Sequence, residues 1–69
     1  MTTETLADAL PAEMQRVREL MPMYREIGPA GAWALGMMEG SLRYAERAAA
    51  SGDVIAMLRA LEDLRGYRA

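Results

Sequence analysis

Residues 27–53 read Ile27-Gly28-Pro29-Ala30-Gly31-Ala32-Trp33-Ala34-Leu35-Gly36-Met37-Met38-Glu39-Gly40-Ser41-Leu42-Arg43-Tyr44-Ala45-Glu46-Arg47-Ala48-Ala49-Ala50-Ser51-Gly52-Asp53, and the breaks at its two ends decide the fold. Gly28 stops one helix and Pro29 opens the next, because a first helical turn has no use for the N–H that proline lacks. Ser51-Gly52-Asp53 makes a second tight corner, with Gly52 as a left-handed stop and Asp53 as the N-cap of a further helix. Between the breaks the chain should be helical over about residues 29–51. Its apolar arc holds Trp33, Ala34, Leu35, Met37, Met38, Leu42, Tyr44, Ala45, Ala48 and Ala49, leaving a narrow polar strip of Glu39, Arg43, Glu46 and Arg47. Glu39 and Arg43 stand in the favoured order for an ion pair along a helix. One neighbouring helix does not cover an arc this wide. The segment must meet two neighbours, or one neighbour and a partner chain.

Upstream, Leu10, Met14, Val17, Met21 and Tyr24 recur at steps of three and four, with Leu20 and Ile27 beside them and Arg18, Glu19, Arg25 and Glu26 opposite. That spacing predicts an amphipathic helix over about residues 10–27, with Asp8 ready to accept from its first free amides and Pro11 in its first turn. Met23 falls on its polar side. Pro22 sits within the pattern and predicts a kink; two shorter helices are the other reading. Residues 1–9 read as a flexible N-terminal segment and residues 10–69 as one helical domain.

Downstream, Val54, Met57, Leu58, Leu61 and Leu64 mark the apolar stripe of a third helix, about residues 53–66, with Arg59, Glu62 and Asp63 facing water and a loose tail after Gly66. The expected fold is therefore an all-α three-helix bundle, antiparallel in sequence, with the second helix central.

Composition narrows the function classes. The chain has 69 residues, a net charge of −2, and neither histidine nor cysteine, so the commonest catalytic bases, nucleophiles and soft metal ligands are missing. A chain of this size buries roughly 6,500 Å² on folding. If about 60% of that is apolar, the gain is about 100 kcal/mol, and ordering the residues costs about as much. Helix packing or self-association must supply the margin, as no disulfide can. All eight cations are arginine, and the acidic balance argues against non-specific nucleic-acid binding. Residues 1–10 lack the basic start and apolar run of a signal peptide, and no charge-free stretch approaches a spanning length, so a cytoplasmic location with no membrane contact is the expectation.

No sequence element carries chemistry. Glu39 and Glu46 share a face, but Arg43 stands between them; Glu62 and Asp63 are adjacent and diverge. There is no calcium-loop spacing, no Glu-x-x-His and no phosphate-cradling glycine loop. Ser41, Ser51 or a threonine would have no histidine to activate it. The expectation is no enzyme, no cofactor, no metal and no small-molecule substrate.

Contact chemistry is better represented. Gly36 and Gly40 have the spacing that lets helix backbones approach closely, either within one chain or between chains. Methionine is frequent, and its flexible thioether suits both a core and an adaptable surface. Trp33 reads as an interface anchor or as a cap over the corner between the first two helices. The candidate interface residues are Trp33, Gly36, Met37, Gly40 and Tyr44.

The runs Leu10-Pro11-Ala12-Glu13-Met14, Arg18-Glu19-Leu20-Met21-Pro22-Met23-Tyr24, Ile27-Gly28-Pro29-Ala30-Gly31-Ala32 and Ser51-Gly52-Asp53-Val54-Ile55-Ala56-Met57-Leu58-Arg59-Ala60 together resemble small conserved, uncharacterised proteins of bacteriophages and prophages of Gram-negative bacteria. The resemblance covers nearly the whole chain. It implies a phage-related accessory protein made in the bacterial cytoplasm, with no activity and no functional residue to carry over.

Two function classes are consistent with these features. The first is a non-enzymatic interaction module with a protein partner, a second copy of the chain included, motivated by the excess apolar arc of the second helix. The second is a small regulator contacting DNA or a transcription factor, because the Ser51-Gly52-Asp53 corner between two helices has the outline of a helix-turn-helix. Against the second, the third helix sets Arg59 beside Glu62 and Asp63. An acidic mimic of nucleic acid is a weaker third reading, since the acids are interleaved with arginine.

Overall fold

The computed structural model describes residues 5–68, which form three α-helices: α1 (Leu6–Ile27), α2 (Pro29–Ser51) and α3 (Val54–Arg65). Both corners fall where the sequence puts them. Gly28 takes φ 85° and ψ −141°, a conformation closed to side chains with a Cβ, and its N–H donates to the Arg25 carbonyl at 3.1 Å. Gly52 closes α2 in the left-handed region at φ 71°. Asp53 then caps α3, its carboxylate accepting from the amides of Ile55 at 3.0 Å and Ala56 at 3.3 Å.

The start of α1 differs from expectation. The helix opens at Leu6, four residues ahead of the expected position 10, and Thr5 rather than Asp8 is its N-cap. The Thr5 hydroxyl oxygen accepts from the Asp8 amide at 3.2 Å and donates to the Asp8 carboxylate at 2.9 Å. The cap and the Asp8 side chain, in the third helical position, are thus tied to each other at the start of the helix. Of the expected flexible segment 1–9, residues 6–9 are helical and Ala9 is buried, while residues 1–4 lie outside the described residues. Pro11 stands inside the helix, not in its first turn. The helix also continues through Pro22, so the two-helix reading is not realised. Pro22 and Arg18 are both exposed. The Arg18 carbonyl that would otherwise receive an N–H from position 22 can therefore be solvated.

Each pair of helices is in contact, giving a triangular bundle, not a row with α2 between two outer helices. Arg18 on α1 reaches Glu46 on α2 at 3.1 Å, and Gly31 lies against Tyr24, so α1 and α2 run antiparallel from their Gly28 corner. The core is Leu10, Met14, Val17 and Met21 from α1, Met38, Leu42, Ala45 and Ala48 from α2, and Ala60, Leu61 and Leu64 from α3, with Ala9 at its end. No polar or charged residue is buried among the described residues. Alanine at positions 45, 48 and 60 lets the helices come close without a void.

The stripe of α3 is rotated from its expected place. Leu61 and Leu64 are buried and Met57 is partly buried, but Val54 and Leu58 are exposed and Ala60 takes the inner position. Residues 57, 60, 61 and 64 form one arc, and Val54 and Leu58 lie beyond its edge. Ile27 is likewise exposed at the end of α1, while Met23 is exposed as its wheel position requires.

Residues 66–68, after α3, are not a loose tail; residue 69 of the expected tail lies outside the described residues. The Arg16 guanidinium donates to the carbonyls of Leu64 and Tyr67, each at 2.8 Å, and its Nε pairs with Glu13. The Leu64 carbonyl, in the last turn of α3, also accepts from the Tyr67 N–H at 3.1 Å, and a cation is favoured at this end of a helix. The Tyr67 and Ser41 hydroxyls share a hydrogen bond at 2.8 Å, and the Tyr24 hydroxyl donates to the Arg68 carbonyl. Both α1 and α2 therefore hold the chain end.

Candidate interaction surface

The five candidate interface residues fall on adjoining rows of one side of α2. Trp33, Met37, Gly40 and Tyr44 follow steps of four, three and four. Gly36, Gly40, Arg43 and Arg47 make a second row beside it, also at steps of four, three and four. These spacings put each row along one face, with Gly40 common to both. The buried residues Met38, Leu42 and Ala45 point the other way, into the core.

Exposure separates this surface from the core. Trp33 is 76% exposed and Met37 is 46% exposed. Trp33 therefore does not cap the corner between α1 and α2; Gly31 does that work instead. A Cβ at position 31 would lie 1.9 Å from the Tyr24 carbonyl oxygen, so the end of α1 and the start of α2 meet backbone to backbone at a glycine. Tyr44 is half-buried and packs on the core cluster at the border of the surface.

Gly36 and Gly40 are different from Gly31. A Cβ at either position would meet nothing within 4 Å. Packing within the chain accounts for Gly31 and for neither of these two. Each costs about 1 kcal/mol of helix stability relative to alanine, with no return inside the bundle.

Arg43 and Arg47 are exposed on the same rows. The expected Glu39–Arg43 pair does not form. Among the described residues the ion pairs are Arg16–Glu13 and Arg18–Glu46, so the basic side of α2 is left to the solvent. The surface is thus a strip of one indole, one thioether, two bare backbone patches and two guanidinium groups, with a tyrosine at its margin.

A second apolar area lies on α3, where Val54, Ile55 and Leu58 are exposed. Spacing alone assigns Val54 and Leu58 to the core and gives no sign of Ile55. Leu58 and Glu62 stand at a step of four, so the outer side of α3 carries aliphatic and acidic groups, a poor match for a phosphate backbone. The described residues enclose no pocket and bring together no group of three or more acidic side chains able to hold a metal ion. None of their helices is long and apolar enough to cross a membrane. No model of a known protein family, no curated protein and no solved structure matches the chain.

Proposed function

We propose that this chain is a non-enzymatic interaction module that self-associates through the outer face of α2, in the phage-related setting that its resemblance implies. The observation that carries the reading is Trp33, 76% exposed beside Met37 on a helix whose two outer glycines have no role within the bundle. A tryptophan that nothing covers is costly in water and is the side chain most often found at the energetic centre of a protein interface. Bare glycine backbone next to it offers close approach to another helix.

Sedimentation equilibrium across a concentration range tests the reading. The average mass should rise from the 7.6 kDa of one chain toward twice that value, and Trp33→Ala should hold it at the monomer. A monomer at every concentration, with Trp33→Ala no different, would remove self-association.

A further inference from the structure

We propose that the trough which α1 and α2 form beyond the end of α3 docks a partner helix with an apolar stripe and a basic flank. Helix lengths create the trough. α1 has 22 residues and α2 has 23, but α3 has only 12. At the helical rise α3 spans about 18 Å, against roughly 33–35 Å for the other two. The hydrogen bonds of the chain end mark where its cover stops. Arg16 meets the carbonyls of Leu64 and Tyr67, Ser41 meets the Tyr67 hydroxyl, and Tyr24 reaches the Arg68 carbonyl. Past that level the described residues form two helices, where the other half of the bundle has three.

The rows that touch the end of α3 continue into this half. On α1, Arg16, Leu20, Met23 and Ile27 follow steps of four, three and four, which keeps them on one face. On α2, counting back from Ser41, Met37, Trp33 and Ala30 follow steps of four, four and three. Met23 is 48% exposed and Ile27 59% exposed, and Trp33 and Met37 are exposed opposite them. Both rows are therefore apolar where the cover by α3 ends.

Shape and charge specify the occupant. Two helices side by side offer a seam that a third helix fills along its length, as α3 does over the other half. An amphipathic helix with apolar residues at steps of three and four fits such a seam. The trough is open, and the described residues enclose no pocket for a small molecule. Glu19 and Glu26 lie four before and three after Met23, on its outer side. Both are exposed and in no ion pair among the described residues, so they call for cations on that flank of the partner. The inference goes beyond self-association. The trough shares Trp33 and Met37 with the self-association face, so a docked helix and a second copy compete for them.

Trp33 is the chain's only tryptophan, so its emission reports the trough. The probe is a synthetic helix of about 14 residues made of leucine and lysine, with leucine at steps of three and four. The controls are the same composition scrambled and a leucine–glutamate version. Each is titrated into the dilute full chain while sedimentation reads the chain's mass. The leucine–lysine helix should shift Trp33 emission to the blue and saturate, and both controls should bind roughly tenfold weaker or less. Met23→Gln with Ile27→Asn changes exposed positions only, and circular dichroism verifies that the variant folds. It should weaken the leucine–lysine helix roughly tenfold. Glu19→Gln with Glu26→Gln should erase the preference for lysine over glutamate. A shift that does not saturate, that the scrambled peptide matches, or that ignores the α1 variant overturns the proposal, as does a lysine preference that survives loss of both acids. Loss of the chain's own association in Met23→Gln with Ile27→Asn overturns it too, by making a second copy the occupant. Self-association is judged by Trp33→Ala without peptide, so either reading can fail alone.

Discussion

The three glycines of α2 show how one residue type takes opposite roles on two sides of a helix. Gly31 is held against the Tyr24 carbonyl, where a Cβ would stand at 1.9 Å, so Gly31→Ala must push α1 and α2 apart at their corner. It should cost about 1–3 kcal/mol in urea unfolding. Gly36→Ala meets open space instead. At concentrations where the chain is monomeric it should stabilise by about 0.5–1 kcal/mol, since alanine is the better helix former. An equal loss at both positions would show that Gly36 is packed as Gly31 is. Arg16 works at the same scale: its guanidinium bridges the last carbonyls of α3 and the chain end. Arg16→Met keeps the stem and removes both bonds, so amide exchange should quicken at residues 66–68 with little change in α2. As the group is partly exposed, the loss in global stability should be about 1 kcal/mol. Unchanged exchange at the chain end would show that Tyr67 and its bond to Ser41 hold it alone.

At the scale of elements, the corners were legible and the helix rotations were less so. Gly28-Pro29 and Ser51-Gly52-Asp53 state their geometry locally, since positive φ and a carboxylate cap need only neighbours in sequence. Removing that cap with Asp53→Ala should cost about 1 kcal/mol, read as an earlier urea midpoint; no shift would mean that packing alone sets the start of α3. The start of α1 was also written locally, in Thr5-x-x-Asp8, but the nearby Pro11 competed for the same role and drew the expected boundary inward. Proline stands inside α1 twice without ending it: core residues flank Pro11, and beyond Pro22 the partly buried Tyr24 packs against the core. The rotation of α3 was not local. Whether Val54 and Leu58 or Ala60 faces inward depends on where α1 and α2 stand, and a stripe at residues 54, 57, 58, 61 and 64 is wide enough to allow either. The tie from Arg16 to the chain end spans 48 and 51 residues, and nothing in the spacing announces it.

For the whole molecule, the sequence stated that one neighbouring helix does not cover the apolar arc of α2, yet could not say which part stays outside. Alanine and methionine occur all around that helix, so its wheel has no sharp inner side. Three-dimensional packing resolves this by burying Met38, Leu42 and Ala45 and leaving Trp33 and Met37 in water. The chain is slightly extended. Its Cα radius of gyration is 12.7 Å, against about 11 Å expected for a chain of this length. Its extents are 38 × 28 × 15 Å. Trp33→Ala should therefore leave folding nearly intact, within about 0.5 kcal/mol under monomeric conditions, while abolishing association. Sedimentation equilibrium of the wild type and Trp33→Ala, side by side over the same concentrations, addresses the central claim most directly. The account predicts a mass climbing toward two chains for the wild type and fixed at 7.6 kDa for the variant. A wild type that stays at one chain throughout, or a variant that pairs equally well, would contradict it.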